Sequence, residues 1–337
     1  MLALKDLDHV AARVHGRRGR LYDGARLRAL CALGSAAELA RTLFPGDKIS
    51  APARLEERLA AVFIAETREL AACFGGARAG LLEWQAARFQ LGNIKTLVRA
   101  IAAGAGPEET RGLLVDLPAG MEGYGKDLAA VKSREDLAAA LPDGLFRDSL
   151  SWAFADYPGK DAVFFVEAAL ERDYLAELSA RAEGLGAADR ESAGVLYELE
   201  TAAFNQVLAL RGKFLYGFPN KELLRLYAPC SARELRIFKA ILAAADLGSA
   251  LALAYGLEGG VAPGLAGLEA LSRRRYRHAA LKALRGDHLG FGAVAAYLAL
   301  RRLETADLIT LAQGLRLGVS AAELEKRLLP GLEAAHV

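Results

Sequence analysis

Five histidines, three cysteines and one lysine-bearing glycine loop are the residues of this 337-residue chain that could hold a metal, attack a carbonyl or cradle a phosphate. Their spacing suits none of these tasks. His9, His15, His278, His288 and His336 form no HxxxH pair and no HExxH, so no helix face offers two imidazoles to one zinc ion. Cys31, Cys73 and Cys230 are an odd, scattered set without CxxC spacing. They suit a reducing cytoplasm and supply neither a disulfide framework nor a metal knuckle. GxSxG and GxGxxG turns are both missing. The segment "GMEGYGKD", Gly120–Asp127, has the G-x4-G-K skeleton of a phosphate loop, but Asp127 stands where a magnesium-binding Ser or Thr belongs and no strand precedes it. It reads as a surface loop. The Asp-rich metal motif of all-α prenyl enzymes is not found either. The sequence thus offers no catalytic residue, no metal site and no cofactor.

Two basic stretches remain. "RVHGRRGR" carries Arg13, Arg17, Arg18 and Arg20, and "SRRRYRH" carries Arg273, Arg274, Arg275 and Arg277. Each is either a solvated helix face, the usual fate of a charge run, or a docking point for an acidic partner. The formal net charge is only +2 and few aromatics are interleaved, which argues against nucleic acid.

The elements that would position these residues are helices. Strand-like alternation is almost absent, whereas apolar residues recur three and four apart throughout. Long helices are expected at Ala53–Phe74, Ala79–Ala103, Asp161–Glu183, Asp189–Leu215, Leu265–Leu284 and Gly290–Leu317. Capping boxes are expected at Ser35/Glu38, Ser231/Glu234 and Ser320/Glu323, with a shorter-armed version at Ser133/Asp136. The longest apolar run, "LGFGAVAAYLAL", is about 12 residues where a membrane span needs roughly 20. The first residues lack the apolar core of a signal peptide. Hydrophobic residues at 53% and charged residues at 25% describe a folded all-α protein.

One pattern recurs. "FQLGNIKTLVRAIAAG" places Asn93 and Arg99 six residues apart, and "FNQVLALRG" repeats this with Asn205 and Arg211. "ADLITLAQG" gives a softened copy with Asp307 and Gln313. The copies lie about 112 and about 102 residues apart, and each ends a long helix that follows another long helix. "SAAELARTLFPG" at Ser35 and "SAAELEKRLLPG" at Ser320 are near twins as well. A degenerate three-fold repeat is expected, divided at 1–106, 107–219 and 220–337. Six helical steps turn about 240° in net rotation, so Asn93 and Arg99 cannot share a face. The Asn either bonds neighbouring backbone where elements cross or lines a partner-facing surface.

These segments carry a resemblance. "HVAARVHGRRGRLYDGARLRAL", the Asn-centred helix at 89–104, "VEAALERDYLAELSARAEGL" with "YELETAAFNQVLALRG", and the stretch from "DHLGFGAVAAYLAL" to "SAAELEKRLL" together resemble the C subunit of V/A-type rotary ATPases, related to the d subunit of vacuolar ATPases. The family often carries an acid three residues before the Asn. Here Gln90 and Ala202 stand there and only Glu304 keeps the acid, while Asp307 and Gln313 replace Asn and Arg. The resemblance implies a funnel-shaped, wholly helical protein of three pseudo-three-fold-related subdomains. It implies a non-catalytic rotor part between the central-stalk subunits of D and F type and the membrane proteolipid ring of c/K/L type, held at the inner face of the membrane through that ring. Without the resemblance, the residues alone support a soluble helical scaffold or adaptor.

Overall fold

The computed structural model describes residues 4–47, 49, 52–159, 162–257 and 264–328. Among them no strand occurs, and sixteen α-helices carry the chain. The first are α1 (Leu4–Arg18), α2 (Ala25–Cys31), α3 (Ala36–Leu43), α4 (Pro52–Ala71), α5 (Gly76–Ala103) and α6 (Pro107–Leu113). A 3-10 turn at Lys126–Leu128 leads to α7 (Arg134–Ala140), α8 (Leu145–Asp156), α9 (Ala162–Glu183) and α10 (Ala187–Leu210). After a π turn at Arg211–Leu215 come α11 (Asn220–Arg225), α12 (Ala232–Ala243) and α13 (Leu247–Tyr255). The last are α14 (Gly264–Gly286), α15 (Phe291–Arg316) and α16 (Ala321–Leu328). The helix expected at Asp189–Leu215 is therefore α-helical only to Leu210. A one-residue change of hydrogen-bond register leaves the apolar pattern intact, so periodicity could not reveal it.

The serine half of each expected capping box forms, and Glu38 reaches back to Gly34 N–H at 2.9 Å. The hydroxyls of Ser35, Ser133, Ser231 and Ser320 accept from the amides of Glu38, Asp136, Glu234 and Glu323 at 3.2, 3.0, 3.4 and 3.3 Å. Asp246 caps α13 in the same way through Ser249 N–H at 2.9 Å.

Contacts divide the chain into two compact units: Met1–Pro142 with Ala280–Val337, and Asp143–Ala279. In the first unit α4 packs against both α5 and α15, and α1 lies on α15. Phe291–Leu300 are all buried, so the apolar run of the sequence is a core helix start, apolar on every side because it is covered on every side. Among the described residues no helix is long and apolar enough to cross a membrane. A core of the same unit joins Leu27 and Leu30 of α2, Leu39 of α3 and Leu55 of α4 to Leu308 and Leu311 of α15 and Leu324 of α16. The near-twin helices α3 and α16 thus contribute to one core, each buried leucine stabilising it by about 1.5–3 kcal/mol.

In the second unit α8 and α10 pack on α9, and α12 packs on α10 and α13. Aromatic rings fill one end: Tyr157 stacks on Phe165 with centroids 4.3 Å apart, and Phe218 lies against both Phe164 and Phe165 at 5.0 and 4.5 Å.

Candidate functional site

Asn93 and Asn205, the residues expected to mark a repeat, make the same hydrogen-bond pattern in the two units. Helix α5 buries Asn93, whose Nδ2 donates to the carbonyl of Val115 at 2.8 Å while its Oδ1 accepts from Val115 N–H at 3.0 Å. Helix α10 buries Asn205, whose Nδ2 donates to Ala228 O at 2.9 Å and whose Oδ1 accepts from Ala228 N–H at 2.9 Å. In each case a carboxamide closes a ring with both backbone groups of one non-helical residue 22 or 23 positions downstream. No other side chain of that length offers a donor and an acceptor side by side, which is why Asn stands here. Asn93 makes a further bond to Tyr124 O at 3.0 Å, and so pins the glycine-rich loop to α5.

That loop is a packed element. Met121 joins Ile64 of α4 and Ala86 of α5 in a small core. Arg68 donates to Ala119 O at 2.6 Å, and Lys126 pairs with Glu57 and, at 2.9 Å, with Asp116. Burial works against the Lys126 charge, but its two carboxylate partners outweigh it and raise the ammonium above its ordinary range. The lysine that resembled a phosphate ligand is an anchor.

Asp307 sits at the third signature position, 3% exposed in α15. The corresponding downstream positions, 329 and 330, lie outside the described residues. Its carboxylate lies among the groups around Cys31. Burial first, then Glu325 and Asp307, push that thiol up. Glu304, one turn earlier, is also buried. It accepts from Tyr22 N–H at 2.6 Å and pairs with Arg301, which also reaches Glu66 of α4 at 3.0 Å. The acid present only in this copy therefore ties α15 to the segment after α1.

The second residue of each signature faces out. Arg99, Arg211 and Gln313 are exposed, as a six-residue separation on a helix requires. Arg211 pairs with Glu269 of α14 at 2.7 Å, and Gln313 donates to Glu56 of α4 at 3.3 Å. In both, a residue at or just past the end of one long helix is bonded to an acid early in another long helix, α14 or α4. Burial pushes the Glu56 carboxyl up, with the Gln313 hydrogen bond opposing it.

A third recurrence is visible as letters but gains its meaning only from the packing. Gly212 follows Arg211, and Gly314 follows Gln313. A Cβ on Gly212 would lie 2.3 Å from Cδ2 of Leu223, and one on Gly314 would lie 2.4 Å from Cδ2 of Leu324. The dipeptides "RG" and "QG" mark where the next short helix crosses closely. The first copy has Ala100 there. Helix α5 ends on a glycine of positive φ, Gly104 at 66°, and glycines of positive φ also follow the π turn and α15, Gly217 and Gly318, each at 70°.

The basic stretches divide. Arg13 and Arg17 both pair with Glu69 of α4, the latter at 2.5 Å, and Arg18 pairs with Asp23 at 2.8 Å. Three of the four arginines of the N-terminal arm thus hold it to its own unit, and Arg20 is exposed. In α14, Arg274 and Arg275 are exposed, Arg275 donating to Tyr255 O at 3.2 Å, and Arg273 is half-buried. Among the described residues no group of three His, Cys, Asp or Glu side chains converges to hold a metal ion.

These features define an all-α scaffold in which two buried asparagines each clamp a crossing backbone segment to a long helix. The chain belongs to the ATP synthase (C/AC39) subunit family, whose pattern matches residues 10–327. It is similar to the C subunit of the A-type ATP synthase of Methanocaldococcus jannaschii, 28% identical over 278 residues that cover 78% of this chain and 65% of that protein. It is 28% identical over 200 residues to the corresponding A-type ATP synthase protein of Halobacterium salinarum, 55% of each chain. With that of Halorubrum lacusprofundi it is 27% identical over 356 aligned positions, 96% of this chain and 97% of the relative. The chain therefore spans less than two thirds of the first two relatives and nearly all of the third.

Proposed function

We propose that this chain is a non-catalytic rotor subunit of a V/A-type ATPase, a socket coupling the central stalk of the ATP-hydrolysing head to the membrane ring of ion-carrying subunits. The observation that carries the reading is the repeated clamp within a chain of this family. Asn93 and Asn205 each fix a crossing segment by both of its backbone groups, which stiffens each helix end against shear. A part that passes torque needs stiffness and well-placed surfaces, and it needs no nucleophile. The partners are the stalk subunits of D and F type on one side and the c/K/L-type proteolipid ring on the other. The location is peripheral, at the cytoplasmic face, through the ring. The chain is read as three related subdomains, at 1–106, 107–219 and 220–337. Arg20, Arg274 and Arg275 are the exposed members of the two basic stretches and the ones assigned to docking.

The test is reconstitution. A complex assembled without this chain should hydrolyse ATP without moving ions, and adding the chain back should restore coupling. Full coupling in its absence overturns the reading and leaves a free-standing helical scaffold. Reversing the charge of Arg20 should weaken assembly more at low salt than at high salt.

A further inference from the structure

Many arginines of this chain sit on carboxylates of their own unit, among them Arg58 on Asp47 at 2.7 Å, Arg172 on Asp173 at 2.6 Å and Arg181 on Glu177 at 2.7 Å. One face of α14 differs. Arg274, Arg275, His278, Lys282 and Arg285 are exposed there, and among the described residues none of them meets a carboxylate. Arg275 donates to Tyr255 O at 3.2 Å and Arg285 to Leu281 O at 3.1 Å, so these two guanidiniums touch only neutral carbonyls.

The spacing makes a stripe. Steps of four, four and three residues separate Arg274, His278, Lys282 and Arg285. At about 100° per residue all five side chains fall within about 100° of arc, and they run about 17 Å along the axis. The stripe belongs to one uninterrupted helix, so that helix alone sets its geometry. Glu269, the only acid of α14, is turned about 170° from the middle of the stripe and is paired with Arg211 at 2.7 Å. Asp287, just past the helix end, is engaged with Gly292 N–H at 2.7 Å. Leu268, Tyr276, Ala280 and Leu284 are buried on the opposite face, and none of the large apolar residues of α14 is exposed.

We infer that the stripe seats an acidic helix of another subunit of the same complex, one that carries Asp or Glu every three or four positions over about three turns. This rests on the rotor reading above. Like charges stacked three and four apart on a helix repel one another, and facing carboxylates relieve that repulsion. Arginine prevails in the stripe, and its planar fork matches a carboxylate bidentately. The arc is as wide as one helix laid alongside. A helix that adsorbs to a bilayer keeps apolar residues beside its basic ones, whereas the apolar residues of α14 face the protein's own core.

The experiment uses the full-length chain and the complex that lacks it. Zero-length carbodiimide coupling of the assembled complex, read by mass spectrometry, should join Lys282 to an Asp or Glu of a partner subunit. The double variant Arg274→Glu/Lys282→Glu should weaken incorporation at least tenfold at low salt, with the deficit shrinking as salt rises and the melting temperature unchanged. Arg236→Glu/Lys239→Glu, the same charge change at two exposed positions of α12, should alter incorporation less than twofold. Incorporation of the α14 variant within twofold of the parent overturns the inference, as does a Lys282 left uncoupled in the complex. An equal loss from the α12 variant makes the effect one of net charge and also overturns it. Loss of binding to phosphatidylserine vesicles with incorporation unchanged assigns the stripe to lipid and does the same. Failure of the parent chain itself to incorporate overturns the rotor reading together with this one.

Discussion

Asn93 and Asn205 make the same clamp in different surroundings. Asn205 is 1% exposed and its partner Ala228 is fully buried, so that ring of hydrogen bonds is dry. Asn93 is equally buried, but Val115 is only half-buried and the loop beyond it runs over the surface. The first clamp compensates with a third bond to Tyr124 and with the Lys126 pairs, and the second relies on enclosure. The same side chain thus secures one segment by number of contacts and the other by exclusion of water. This is how a repeat can diverge in sequence around a retained joint.

The comparison predicts an order of effects. Asn205→Ala strands an amide and a carbonyl where no water reaches, and should cost roughly 3 kcal/mol. Chemical denaturation reads the loss, and hydrogen exchange at the Ala228 amide should rise with it. An Asn205→Ala chain that keeps its denaturation midpoint would show that the enclosure is open to water. Asn93→Ala should cost about 2 kcal/mol, because the half-buried Val115 can recruit water. The loop 115–125 should then become a site of limited proteolysis. If Asn93→Ala proves the more damaging of the two, number of contacts outweighs enclosure.

Smaller changes sharpen the same contrast. Gly212→Ala and Gly314→Ala should each destabilise by about 1–2 kcal/mol by pushing a leucine δ-methyl aside, measurable as a lower melting temperature. Ala100→Gly in the first copy should lose about 1 kcal/mol for the opposite reason, a helix interior left without its Cβ.

The smallest effect is Gln313→Arg, which restores the Arg-type residue of the other two copies opposite Glu56. It should stabilise by less than about 1 kcal/mol at neutral pH. The sign with pH follows from the raised Glu56 carboxyl. Its folded form holds a proton that the unfolded chain has released, so its contribution is full below the ordinary carboxylate range and declines as pH rises through the raised value. A guanidinium beside it lowers that value, so the gain should appear near neutrality and vanish in acid. Equal gains at both pH values would mean that the introduced guanidinium acts by packing.

Much of the architecture is legible in the letters. Helices and serine caps depend on residues within a few positions of one another, and period and capping chemistry report them, while the Asn-centred pattern shows by its recurrence along the chain. The orientation of Asn93 away from Arg99 follows from the same helical arithmetic. What the Asn holds does not, because Val115 and Ala228 lie in irregular segments whose course depends on packing. The ion pairs of the basic arm are hidden for a related reason: Glu69, the carboxylate that Arg13 and Arg17 share, is more than 50 residues away. The π turn is hidden because one additional residue changes hydrogen-bond partners without changing residue types. Gly212 and Gly314 are visible as letters, but only Leu223 and Leu324 explain them.

The shared core of α2, α3, α4, α15 and α16 has a consequence for synthesis. Leu27 and Leu324 belong to it, so that core cannot close until α16 has left the ribosome. Residues 143–279 are contiguous and can fold as soon as they emerge. Helices α2, α3 and α4 must therefore wait for α15 and α16 while residues 143–279 mature between them.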